Sequence, residues 1–336
     1  MSVIALYSAM AVYAIAFIAY AIDLAKRSSS IDEVAVDASS GAVASARSAS
    51  PASAAAATTT AQGYGSTATL APSAPETDAA RGYGRSAALR VGVALTVVAW
   101  LLHLSADILR GLAAGRVPWA NMYEFAMTGT LVIVAVFLIA NLFVDLRFLG
   151  TFVTGLVLIL LGLASVNFYV AVSPLPPALQ SIWLVIHVFV AATAVGLFAL
   201  GFGLSVVQLM QFRRESNTAD AQSTGRRLLA TLPSSTKLEA LAYRINIIGF
   251  ILWTFTLMAG AIWAEKAWGR YWGWDTKEVW TFIIWVIYAG YIHARATRGW
   301  RGSRSAWLAI IGFSAVLFNF TIVNLFFKGL HAYSGL

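Results

Sequence analysis

Residues 181–211 read SIWLVIHVFVAATAVGLFALGFGLSVVQLMQ, without one Asp, Glu, Lys or Arg. A barrel strand crosses a bilayer in about 9–11 residues and a helix in about 20, so this run predicts a spanning helix with its far end beyond the membrane. Seven further apolar runs, at roughly 3–24, 89–109, 125–144, 148–171, 242–263, 279–295 and 305–327, predict the same. The composition agrees. Hydrophobic residues make up 59% of the chain and charged residues 11%, where a soluble domain carries about 25% charged residues. The expected fold is an all-α, polytopic membrane helix bundle of about eight transmembrane helices. The chain has no cysteine, which excludes a disulfide, a thiolate metal site and covalent c-type haem on this chain.

Orientation follows from the basic residues. With both termini outside, only Arg110, Arg116, Lys266, Arg270, Lys277 and Lys328 of the 23 Lys and Arg fall on the outer side. The net charge of +8 is then mainly an orientation signal, and nucleic-acid binding is not needed to explain it. Residues 1–27 are read as an uncleaved first transmembrane helix, because no basic segment precedes an apolar run too long for a signal peptide. Residues 28–88, mostly Ala, Ser, Thr and Gly, are read as a low-complexity, disordered cytoplasmic linker. Residues 89–336 form the expected seven-helix membrane domain.

Between the sixth and seventh runs lies AEKAWGRYWGWDTKEVW, residues 264–280. An interfacial aromatic belt accounts for scattered Trp. Here Trp268, Tyr271, Trp272, Trp274 and Trp280 are crowded together and interleaved with Gly269, Gly273 and Asp275. Adjacent flat rings suit a large planar apolar ligand, a haem or a quinone. Arg270 and Lys277 are suited to acid groups at its edge. Asp275 and Glu278 are read as ordering the loop.

The chain has four His, and an ionisable residue in a span is a functional hypothesis in itself. His187 and His331 both fall near the outer surface, where two imidazoles at one depth either ligate one iron from opposite faces or are unrelated interfacial residues. His293 lies roughly 20 Å below the loop at about 1.5 Å per residue, too far to join them. His103 sits in the outer half of the second run, as either a packed residue or a ligand.

Three segments carry a family resemblance. WGRYWGWDTKEVW (268–280) resembles the tryptophan-rich "WWD" signature of haem-handling cytochrome c biogenesis proteins. RGLAAGRVPWANMYEF (110–125) and VNLFFKGLHAY (323–333) are similar to two segments of the CcsA branch, also called ResC, or CcsB in some bacteria. Arg116 stands where relatives often have His, and Trp119 and Phe125 replace smaller or polar residues. The resemblance implies the System II pathway in the bacterial plasma membrane, with the Trp loop outside. It implies haem b as cofactor, and a ResB-type membrane partner and apocytochrome c as partners. The chain would be a subunit of a cytochrome c haem lyase (holocytochrome c synthase) complex. By motif position it assigns His187 and His331 as outer haem ligands, and His293 as ligand of a transmembrane haem shared with the partner. The cofactor-binding set is Trp268, Arg270, Tyr271, Trp272, Gly273, Trp274, Asp275 and Trp280. The competing readings are a System I CcmC-type haem chaperone and a proton-coupled transporter using the His residues and Glu124. Eight spans and the 110–125 segment favour System II.

Overall fold

Every regular element among the described residues is helical, as the long apolar runs require. The computed structural model describes residues 1–48, 86–172, 180–216, 229, 232–297, 299–327 and 329–330. The helices are α1 (Ser2–Ser48), α2 (Ala87–Ala114), α3 (Met122–Phe143), α4 (Gly150–Asn167), α5 (Ile182–Ser216), α6 (Ser235–Trp268), α7 (Thr276–Thr297), α8 (Ser303–Phe320) and the short α9 (Ile322–Phe326). A 3₁₀ turn, Arg147–Leu149, leads into α4.

Seven helical segments among these residues are long and apolar enough to cross a membrane, and the protein is an integral membrane protein. The count falls one short of the eight expected. The remaining run, 279–295, does form a helix, the 22-residue α7. At about 1.5 Å per residue that is roughly 33 Å, enough to span. It is less apolar because it holds Lys277, Glu278 and Arg295 and four amphipathic rings, Trp280, Trp285, Tyr288 and Tyr291. The backbone of α1 stays helical to Ser48, past the expected linker start at 28. That stretch is alanine-containing and has no proline before Pro51, so no residue in it blocks a helix outright. Residues 49–85 of the expected linker lie outside the described residues.

The main core cluster draws on all eight long helices, and two smaller clusters form around Trp263 and around Tyr20. Phe198 stacks on Tyr288 with ring centroids 3.7 Å apart, and both rings are fully buried. Lipid is as apolar as the core, so close packing and interhelical hydrogen bonds hold such a bundle. At Gly201 a side chain would collide with the Asn246 carboxamide, so glycine there lets α5 and α6 approach. Indole N–H groups supply cross-links: Trp253 donates to Thr281 O at 3.1 Å and Trp285 to Thr254 Oγ1 at 2.9 Å. At the end away from the Trp loop, Glu239 pairs with Arg295 at 3.3 Å and accepts from Gly302 N at 2.9 Å. That contact fixes α6, α7 and α8 to one another.

Candidate functional site

Only 269–275 of the Trp-rich segment is non-helical. Helix α6 ends because Gly269 takes the left-handed conformation, φ 70°, and its N–H bonds to Glu265 O at 2.8 Å. Glu278, in the first turn of α7, ties the loop from the other side. Its Oε2 accepts from the backbone N–H of Gly273 at 2.8 Å and of Asp275 at 3.0 Å. Its Oε1 faces Arg270 Nη1 at 3.8 Å. The Arg270 guanidinium occupies the space where any side chain at Gly273 would go. Arg270, Gly273 and Glu278 therefore order the loop together. Trp274 has φ 59°, the one non-glycine positive φ among the described residues, and is 73% exposed. Such strain persists only where the surroundings enforce it.

Beneath the loop lies a mostly apolar cavity of about 260 Å³. Its wall takes residues from the α3 start, the α4 end, the α5 start, the α6 end, the α7 start and the α8 end. This is the arrangement of an up-and-down bundle open at one end. Of the loop aromatics, Tyr271 and Trp272 line it, with Lys277 and Glu278 below them. Trp268 does not; it packs edge-on against Trp263 at 4.8 Å. Trp280 packs on Phe318 at 4.3 Å, inside the core. Trp274 meets Trp272 edge-on at 5.9 Å. The Asp275 carboxylate lies against Gly329, leaving no room for a side chain there.

His187 lines the cavity from α5. Its Nδ1 lies 2.9 Å from the carbonyl oxygen of Thr256. A carbonyl only accepts, so Nδ1 carries a proton; in the neutral ring the lone pair is then on Nε2, the tautomer of a metal ligand. Trp263 stacks beside the imidazole, centroids 5.9 Å apart. A β-carbon at Gly260 would come within 2.7 Å of Cε1 and 2.9 Å of Nδ1. The ring is thus set by Thr256, Gly260 and Trp263, with Trp268 behind Trp263.

His331 lies outside the described residues; Gly329, two residues earlier, adjoins the loop through Asp275. His293 is exposed near the far end of α7 and does not line the cavity. It is roughly 22 Å along the helix from Glu278 at about 1.5 Å per residue. His103 is fully buried in α2, edge-on to Tyr13 at 6.1 Å, and neither ring nitrogen has a hydrogen-bond partner.

The 110–125 segment builds one wall. Glu124, fully buried, accepts from Arg110 Nε at 2.9 Å, Arg116 Nη1 at 2.7 Å and Ala120 N at 3.0 Å. Arg110 also donates to Val170 O at 2.7 Å, holding the chain that leaves α4. Asn121 caps α3, its Oδ1 accepting from Glu124 N at 2.9 Å. The Trp119 indole donates to Thr128 Oγ1 at 2.9 Å, and Thr128 donates to Asp107. Trp119, Asn121 and Phe125 are thereby presented to the cavity. Sequence reasoning missed Trp263, Thr256 and Gly260, which no local motif marks. Trp119 and Asn121 stood inside a quoted segment without an assigned role.

The family model described as "Cytochrome C assembly protein" matches residues 119–331. A "Cytochrome c biogenesis protein CcsA" of Prochlorococcus marinus is 36% identical over 270 residues, covering 69% of this chain and 83% of the relative. The CcsA of Guillardia theta is 33% identical over 261 residues, 73% of this chain and 86% of the relative. That of Gloeobacter violaceus is 31% identical over 293 residues, 73% and 87%.

Proposed function

The chain belongs to the cytochrome C assembly protein family, and on that premise we propose that it serves cytochrome c maturation by holding haem b in the cavity under the Trp loop. The observation that carries this reading is His187: an imidazole whose Nδ1 is held by the Thr256 carbonyl, at the wall of an aromatic-lined cavity. Both the donor chemistry and the apolar lining fit a haem. Among the described residues His187 would hold the iron, with His331 as the second residue by its motif position. Tyr271 and Trp272 would pack against the bound group. Trp263 and Thr256 keep the imidazole oriented, and Arg270 and Glu278 keep the loop folded over the cavity. When bound, the haem supplies the vinyl groups that become thioethers with the two thiols of an apocytochrome CxxCH segment. The chain's own contribution is orientation and protection. The loop faces the outer side of the bacterial plasma membrane, and a ResB-type partner completes the System II lyase. His293, exposed on α7, is the ligand facing that partner. Glu124 is held by two guanidinium groups, which favours a structural role over proton relay.

Cells depleted of this chain are expected to lose covalent haem staining of c-type cytochromes while keeping their b-type cytochromes. Unchanged staining would remove the reading. Topology is checked separately: a cytoplasmic reporter fused after Gly302 is expected to be active, and one after Leu336 inactive. An active reporter after Leu336 would put the loop on the wrong side.

Gly260→Ala tests how the imidazole is held. The new methyl sits too close to Cε1 and Nδ1, so the ring must move. Overpacking of this kind costs about 1–3 kcal/mol. The expected result is reduced haem retention, part of it restored by added imidazole. Wild-type retention would contradict the His187 placement.

A further inference from the structure

Two polar side chains in the cavity wall keep donor capacity that the fold does not use up. Asn121 is 5% exposed and lines the cavity. Its Oδ1 is taken by the α3 cap, and its Nδ2 is a buried donor with no partner. Lys277 also lines the cavity, and its Nζ donates to Asn324 Oδ1. The charge of Asp275, two residues earlier, acts on it, but no carboxylate among the described residues lies within ion-pair distance. The neighbouring Glu278 is already engaged by two backbone N–H groups and Arg270.

Helix packing puts these donors at one level. The rings of Phe125 on α3 and Phe320 on α8 meet with centroids 5.2 Å apart. Asn121 lies one turn before Phe125, on a helix running away from the loop. Asn324 lies one turn after Phe320, on a chain running toward it. Both therefore sit about 5 Å nearer the loop than the Phe pair, and Lys277 is bonded to Asn324.

We propose that Lys277 and Asn121 form a carboxylate-binding corner of this cavity, which takes a propionate of the haem. This deepens the haem reading and rests on it. An ammonium and an amide N–H in an apolar wall recognise a carboxylate by charge-assisted hydrogen bonds. Of the two cations that the sequence suggests for acid groups, Arg270 is engaged by the loop, which leaves Lys277 for the ligand.

The test titrates the purified full-length chain in detergent with ferric haem and with haem dimethyl ester, whose propionates are blocked, reading the Soret band. The wild type should prefer the free acid by about tenfold or more. Lys277→Met should bring that ratio close to one with an unchanged axial-ligation spectrum, and Lys277→Arg should keep part of it. Asn121→Asp retains the helix cap but replaces the donor with an acceptor, and should lose the preference without losing thermal stability. No preference in the wild type, or an unchanged preference in Lys277→Met or Asn121→Asp, would overturn the corner. Laurate binding that depends on Lys277, with no preference between the two haems, would assign it to a lipid carboxylate and overturn the haem assignment. Absence of any haem band with either compound would instead remove the haem reading itself.

Discussion

His187→Ala should abolish most cytochrome c maturation while the protein still inserts, and added imidazole should partly restore it. The imidazole is partly buried at the start of α5 and hydrogen-bonds a carbonyl of α6. Its loss removes little packing and no spanning element. It does remove the one described imidazole in the cavity, and free imidazole can enter the space left beside Trp263. A loss of at least about tenfold is expected, since even removing a partner that orients a metal-bound His typically costs 10–100-fold. His331→Ala should behave alike if the motif assignment holds. His293→Ala should be rescued less readily, because the site proposed for it lies within the membrane. Covalent haem staining of c-type cytochromes, with and without imidazole, reads all three. Normal maturation in both His187→Ala and His331→Ala without imidazole would dismiss the axial-ligand assignment.

Glu124→Ala should give the largest loss of stability. The carboxylate is fully buried and balances Arg110 and Arg116, whose side chains are 4% and 9% exposed. Removing it leaves two guanidinium groups buried without their counter-charge, a change that costs about 3–5 kcal/mol. The damage should spread to the cavity, because the same contacts hold the α3 start and the segment after α4. Thermal melting in detergent should fall sharply, and much of the protein should be lost from the monodisperse fraction. Glu124→Gln, which keeps the shape and one acceptor, should be milder. A melting temperature in Glu124→Ala within a degree or two of wild type would show that the triad does not hold the wall.

The fold class was legible because uncharged runs near 20 residues admit one solution in lipid, and glycines such as Gly115 and Gly269 end helices where a breaker is expected. The run at 279–295 was legible as a span, although its Trp, Tyr and charged residues make α7 less apolar than the other long helices. The loop was legible as a cluster but not as a shape. Trp268 and Trp280 stand on helices, where Trp268 packs on Trp263 of the same helix and Trp280 faces Phe318 of α8, remote in sequence. Arg270 looked like a ligand cation; only the close approach permitted by Gly273 turns it onto Glu278. His187 could be picked out as an ionisable residue in a span. Its tautomer could not, because Thr256 reaches it only through the register of α5 on α6.

The most direct measurement is the absorption spectrum of the purified full-length chain beside that of His187→Ala. Wild type should carry haem with a sharp Soret band and the α and β bands of bis-imidazole ligation. The variant should lose that signature and regain it with imidazole. Identical spectra from the two proteins, or a wild type that carries no haem and takes up none when it is added, would contradict the account.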